Sequence, residues 1–280
     1  MPEIALPDGF GWIRAPWGPA LRCRPLQAHA DHCFTTRQPV LPADGLTPGD
    51  GWHRIALAFG VPARSVVRMH QVHGTRVIVF RGGDRVPASW GTGDAAVTEH
   101  PGVALAVKVA DCVPILMADA RTGAVGAAHA GWRGTAAGVA GAAVQAMVEA
   151  FGSHPADLVA AIGPSIGPCC CRVGDEVRAA FAADGRWAAR LDHWFLPAPI
   201  GTPVHGIPGA EPPSGAGSLF LDAWNANADQ LIEAGVPASA VHQSRLCTSC
   251  HREVFHSYRV DGSQAGRMVG VIRATSRRRV

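Results

Sequence analysis

Three residues carry the strongest chemical signal in the chain: His73, Cys112 and His129. Each stands where an apolar, strand-like run meets a Gly-containing or turn-prone stretch, so each can project from a sheet edge into one cleft. Two imidazoles and one thiolate suit Zn2+, with Cu2+ as the alternative. Three protein ligands leave a fourth position for water or substrate, the mark of a catalytic zinc site. The same residues read a second way: Cys112 as a thiolate paired with His129 is the arrangement of a cysteine hydrolase. The Gly163–Gly167 loop would then offer backbone N–H donors to an oxyanion. Both uses want a thiolate, so ligand and nucleophile stay open at this level. The plainest reading makes Cys112 a small buried hydrophobe and both histidines structural.

Other residues gather around this set. Asp111, next to Cys112, is placed to orient a ligand histidine or to transfer a proton, and equally to form a turn between strands. Asp111, Cys112 and His129 are the expected catalytic residues. Arg37 and Arg133 are candidates for holding phosphate or another anion, because a guanidinium forks onto such groups, and both equally suit a surface ion pair. With Ser165, in the Gly163–Gly167 loop, they form the expected substrate-binding set. Trp132 either packs the start of a helix or stacks on a base. Two further patterns are weaker. Cys247-Thr248-Ser249-Cys250-His251 matches the c-type haem attachment pattern, but that attachment takes place outside the cytoplasm. The run Cys169-Cys170-Cys171 invites a metal reading. Adjacent residues on one element point apart, which favours partly buried loop cysteines.

The elements that must position these residues centre on 104–134, ALAVKVADCVPILMADARTGAVGAAHAGWRG. Val103–Val109, Val113–Ala118 and Ala124–Ala128 are apolar runs too short for stable helices and read as buried strands, with a turn at Asp119–Gly123. The Ala-rich stretch after Gly134 reads as one helix to Phe151, stopped by Gly152. Strands are expected at Leu26–Thr36, Ser65–Met69, Thr75–Phe80, Ala95–Thr98, Leu158–Ile162, Ser218–Leu221, Val241–Cys247, Phe255–Tyr258 and Met268–Ile272. Helices are expected at His53–Phe59, Val173–Ala182 and Ala223–Ala234. Residues 1–25 show no periodicity and read as an irregular surface wrap; 38–51 and 82–93 read as loops. Residues 196–218 hold six Pro and five Gly and read as a Pro/Gly-rich loop. Residues 273–280 read as a basic tail. Strands alternate with helices but hairpin-like pairs also occur, so an α/β fold with mixed sheets is expected.

A chain of 280 residues can bury a large core, and a single catalytic domain over 1–280 is the simplest organisation. A formal charge of +3 excludes the strong basic balance of a nucleic-acid binder. No apolar run reaches membrane-span length. The N-terminal residues lack a basic start and a long apolar core, and eight cysteines without such a signal point to reduced thiols and a cytoplasmic location. The expected partners are small molecules, with the chain a monomer or homodimer.

Six segments together are specific. HQVHG at 70–74, GDAAVT at 93–98, ADCVPILMAD at 110–119, AAHAGWRG at 127–134, AIGPSIGPCC at 161–170 and SYRVDGSQAGRMVGVI at 257–272 resemble the YfiH, or laccase-domain, family. Its members are also called polyphenol oxidases or peptidoglycan editing factors, and several are reassigned as purine nucleoside phosphorylases with adenosine deaminase side activity. The resemblance runs from Phe34 to Ile272. It implies mixed β-sheets layered with helices, similar to the catalytic domain of cytotoxic necrotising factor. It implies metal ligation by His73, Cys112 and His129, and Arg37 near an anion. It implies a nucleoside and phosphate as substrates. After Arg37 the chain reads QPVLPADGLTPGDGW where the family usually has Gly-Gly-Val-Ser and an SLNLG-like segment. The family names disagree, and composition weighs them. A multicopper laccase needs about ten histidines, many in His-x-His pairs. This chain has 13 histidines, no two of them two residues apart, so true laccase activity is disfavoured. A single zinc suits phosphorolysis or deamination. Hydrolysis of a peptidoglycan precursor by Cys112 and His129, and a non-catalytic metal-binding role, are the alternatives.

Overall fold

A computed structural model describes residues 1–42, 47, 49–81, 91–201 and 219–275. The apolar runs at the heart of the sequence become the strands Ala104–Val109, Val113–Asp119 and Val125–Ala130. Val113–Asp119 and Val125–Ala130 are buried at every position. Strands without a polar face must be covered on both sides, and the layering here provides that cover.

Two six-stranded mixed sheets stack face to face. The first runs Phe10–Ala15, Gly18–Cys23, Ala30–Thr35, Met268–Ala274, Ala104–Val109, Val66–Arg68. Only its last pair is parallel. The second runs Val241–Gln243, Leu158–Ile162, Val113–Asp119, Val125–Ala130, Ala95–Thr98, Val77–Phe80, with parallel pairs at its two edges. Between the sheets lies one apolar layer, with Phe34, Leu105 and Val107 facing Leu116, Val125 and Ala161. The outer face of the first sheet packs Trp52, Ile55 and Ala56 of the Asp50–Ala58 helix. The outer face of the second packs Val144 and Met147 of the Val139–Phe151 helix and Leu231 of Ala223–Glu233. A three-stranded antiparallel sheet, Arg172–Val173, Leu219–Leu221 and Phe195–Leu196, lies beyond. The expected α/β architecture with mixed sheets is therefore present, as helix, sheet, sheet and helix layers. Among the described residues, no helix is long and apolar enough to cross a membrane.

Several expected elements differ. Residues 1–25 are not an irregular wrap, because Phe10–Ala15 and Gly18–Cys23 form a hairpin at the edge of the first sheet. Pro25 occupies the first turn of a short helix, Arg24–Gln27, so the following strand begins only at Ala30. The predicted long helix is split at Gly138, whose φ of +87° is left-handed, into Trp132–Ala137 and Val139–Phe151. Phe255–Tyr258 is not a strand; Tyr258–Asp261 is a helical turn. Arg273 and Ala274 belong to the last strand, not to a tail. Leu196 pairs with Phe220, so the 196–218 segment begins as strand. Residues 202–218, 276–280 and most of the predicted 82–93 loop lie outside the described residues.

Two chain crossings between the stacked sheets position the chemistry. One runs from Arg68 in the first sheet to Val77 in the second and carries His73. The other runs from Val109 to Val113 and carries Cys112. The Gln71 side chain ties them: its amide N–H donates to the Lys108 carbonyl (2.8 Å), and its carbonyl oxygen accepts the Lys108 N–H (2.8 Å).

Candidate metal centre

Cys112 owes its position to Asp111. Only three residues separate the two buried strands, and Asp111 turns the chain with a φ of +83°, a conformation that costs a non-glycine residue energy. Its carboxylate is held by the Thr248 hydroxyl (2.6 Å) and the Arg259 N–H (2.6 Å). Burial pushes the Asp111 carboxyl pKa up, against the pull of these two bonds.

His129 is the fifth residue of its strand, paired in register with Pro114. Its Nδ1 lies 2.9 Å from Oδ1 of the fully buried Asp94, one residue before the adjacent strand. The same carboxylate accepts the N–H groups of Val72 (3.2 Å), His73 (2.8 Å) and Gly74 (2.7 Å), fixing the turn in which His73 sits at φ +61°. One buried carboxylate thus orients both histidines, a role met in metal sites where an outer partner fixes the ligand tautomer. Burial alone would raise the Asp94 pKa; the bonds from His129 and these N–H groups hold it below the usual carboxylate range.

His73, Cys112 and His129 converge. Their donor atoms all lie within 4.8 Å of one another. His73 Nε2 is 3.7 Å from Cys112 Sγ, and the two imidazole centroids are 4.9 Å apart at 73°. A tetrahedral zinc with bonds of about 2.0–2.3 Å sets its donors roughly 3.3–3.8 Å apart, so the residues fit such an ion. Gly131 makes room for them: a Cβ there would sit 2.4 Å from His73 Cδ2 and 3.1 Å from Cys112 Sγ. Burial pushes the Cys112 thiol up, but His129 and His73 outweigh it and bring the pKa down to about 6. Burial likewise pulls His129 down, and Cys112 and Asp94 lift it to about 9. The pair is biased toward the thiolate a metal needs. The donor set accepts zinc and copper alike.

The three donors open onto a cleft of about 1110 Å³. Asp111 and Arg133 line it as well; the Arg133 guanidinium lies 4.0 Å over the Trp132 ring. Arg37 sits elsewhere. Its guanidinium donates to the carbonyls of Arg252 (2.7 Å) and Phe255 (3.3 Å) and lines a separate small cavity with Asp261. Ser165 is buried, its hydroxyl oxygen accepting the Trp224 indole N–H (2.7 Å). The expected oxyanion donors are not available. The N–H groups of Gly163, Ser165, Ile166 and Gly167 go to Pro114 O, Leu246 O, Asp111 O and Cys247 Sγ, and Pro164 has none. Asp94 is the principal residue that sequence reasoning missed, along with four cations on the cleft wall, Lys108, Arg172, Arg259 and Arg267. Asp94 had a signal, an acid directly before an apolar strand. The cations are scattered along the chain and had none.

A family model described as multi-copper polyphenol oxidoreductase laccase matches residues 50–275. The chain belongs to this laccase-domain, or YfiH, family. Among its relatives, a purine nucleoside phosphorylase, YlmD, of Geobacillus stearothermophilus is 33% identical, with 97% of each chain covered. A purine nucleoside phosphorylase of Deinococcus radiodurans is 36% identical over 93% of this chain and 94% of its own. An adenosine deaminase, RL5, of an unknown prokaryotic organism is 35% identical over 80% of each. The crystal structure of the hypothetical protein YfiH of Bacillus licheniformis superimposes with a TM-score of 0.78 at 29% identity, over 96% of this chain and all of that one. As a laccase-domain protein this chain carries, among the described residues, one His₂Cys group rather than the histidine clusters of a multicopper site.

Proposed function

We propose that this chain is a zinc-dependent purine nucleoside phosphorylase that also deaminates adenosine. The observation that carries the reading is one cleft in which the His73–Cys112–His129 group and five cationic residues, Lys108, Arg133, Arg172, Arg259 and Arg267, line the same space. Glu176 and Asp111 are the acidic members of that wall, so the balance favours an anion such as phosphate. Relatives named purine nucleoside phosphorylase and adenosine deaminase support the same substrate class.

The chain's own residues divide the work. Of the cleft arginines, Arg133 and Arg172 hold phosphate by charge-assisted hydrogen bonds and present it to the ribose, while Arg259 and Arg267 give their guanidinium groups to backbone carbonyls and add positive charge to the wall. Trp132 and Tyr258, on the cleft wall, offer flat apolar surface to a base. Asp94 keeps His129 aimed at the donor cluster. Asp111, whose burial favours the protonated form, is suited to hold and return a proton at the leaving or attacked nitrogen. A bound zinc ion would supply Lewis acidity and a more acidic water. Cysteine hydrolysis of a peptidoglycan precursor is the weaker reading, because the loop that would hold its oxyanion has its N–H groups engaged within the fold.

Product analysis tests this. Zinc-loaded protein and its Cys112→Ala variant are given adenosine with and without phosphate. Adenine and ribose 1-phosphate formed only with phosphate, and only with Cys112 present, establish phosphorolysis at this site. Inosine formed without phosphate establishes deamination. No turnover of either kind rejects the nucleoside reading.

A further inference from the structure

A second set of donors lies behind the cleft wall. Cys169, Cys170, Cys247 and Cys250 bring their four sulfur atoms within 4.8 Å of one another. Cys250 Sγ is 3.5 Å from Cys169 Sγ and 3.5 Å from Cys170 Sγ. These separations are far longer than a disulfide bond of about 2.05 Å. They match the roughly 3.8 Å between sulfurs that share a tetrahedral zinc at about 2.3 Å. We propose that these four cysteines bind a second metal ion, a structural zinc in an all-thiolate site.

The local backbone explains how neighbouring residues converge. The N–H groups of Cys170 and Cys171 both donate to the Gly167 carbonyl (2.9 and 2.8 Å), a tight turn rather than a strand or helix. Cys169 and Cys170 therefore face the same partners, while Cys171 turns to the cleft wall. The expectation that adjacent cysteines diverge holds only for Cys171. Cys247 and Cys250 come from a second turn, closed by the His251 N–H on the Cys247 carbonyl (3.1 Å). A CxxC pair plus two further thiols is a zinc donor set, and with all four positions filled by protein it is structural rather than catalytic. The pairing also excludes the haem-attachment reading, since Cys247 and Cys250 face each other's partners and are buried.

A backbone donor and a cation lie beside the sulfurs. The Gly167 N–H points at Cys247 Sγ at 3.3 Å. The Arg259 guanidinium donates to the Cys170 carbonyl at 3.2 Å, placing a cation beside a site of net negative charge. On binding, the thiols release their protons to solvent and the sulfurs donate to the metal. The site would join two loops about 80 residues apart, both built into the cleft: Thr248, between the paired cysteines, holds Asp111, and Cys171 and Arg259 line the wall.

The decisive protein is the full chain carrying His73→Ala and His129→Ala, grown with zinc and purified without chelator. Elemental analysis should find one zinc per chain in this variant and two in the wild type. Cobalt loaded into the variant should give the sulfur-to-cobalt charge-transfer absorption of four thiolates rather than one. Adding Cys247→Ser and Cys250→Ser should abolish both signals. If that combination does not fold, Cys169→Ser, at the half-buried edge, should weaken zinc retention against a chelator and reduce the charge-transfer band. A histidine variant without metal overturns the proposal, whether its four thiols react as free groups or intact mass shows the loss of two hydrogens to a disulfide.

Discussion

Asp94 Oδ1 and His129 Nδ1 lie 2.9 Å apart, both buried, on neighbouring strands of the second sheet and its approach. The bond leaves Nε2 as the atom available to a metal. Because Asp94 also accepts the N–H groups of Val72, His73 and Gly74, the carboxylate links two ligands that the chain separates by 56 residues.

Asp94→Asn should therefore weaken metal binding about 10- to 100-fold, the range typical of lost outer-shell partners. The amide cannot accept from His129 and the three N–H groups as a carboxylate does. Competition with a chromogenic chelator measures the affinity. Asp94→Glu, which keeps the charge but displaces it, should recover only part of it. Unchanged affinity in Asp94→Asn would remove this residue from the site.

Gly131 sets a steric limit on the same centre. An alanine there would place Cβ 2.4 Å from His73 Cδ2, and His73 must swing away. Since His73 is on the surface side of the cluster, the fold should survive while zinc stoichiometry at this site falls. Circular dichroism and elemental analysis on one sample separate the two effects. Full zinc retention would show that the His73 turn yields easily.

Much of this is legible in the sequence. The metal trio is legible because each member stands where a short apolar run meets a turn-prone stretch, and such runs read as strands. Asp94 carries only a weak signal, a single acid before a strand with no periodicity to mark it; only the fold shows that it faces two ligands. The Phe10–Ala15 and Gly18–Cys23 hairpin was hidden by Trp, Gly and Pro, which obscure alternation at a sheet edge. The four-cysteine group is not legible along the chain, because the turn at Gly167–Cys171 and the loop at 247–250 meet only in space. Arg37 shows the converse: its place in a recognisable segment suggested an anion, and the fold gives its guanidinium to two backbone carbonyls.

If the cationic wall holds phosphate, Arg133→Ala should raise the KM for phosphate by roughly 10-fold or more, the scale of one charge-assisted hydrogen bond. Inosine formation from adenosine needs no phosphate and should change little. Steady-state kinetics of both reactions on one preparation make the comparison. Equal losses in both would assign Arg133 to packing on Trp132 rather than to the anion.

His32 links stability to pH. His32 is buried in the first sheet; its Nε2 accepts the Cys23 N–H at 3.0 Å, and its Nδ1 faces the Ala30 carbonyl at 3.3 Å. The ring is thus held neutral with its proton on Nδ1. Burial lowers its pKa from 6.5 to about 4, with the Ala30 carbonyl acting in the opposite sense. Between those values the unfolded chain binds a proton that the folded chain refuses. The stabilising contribution is complete above pH 6.5 and is lost as pH falls toward 4. The loss amounts to roughly 3 kcal/mol across the window. His32→Gln can satisfy the same two groups without titrating. Its stability should fall less than that of the wild type between pH 7.5 and about 4.5, as read by denaturant unfolding at both values. Parallel losses in the two proteins would show that protonating His32 costs the fold nothing.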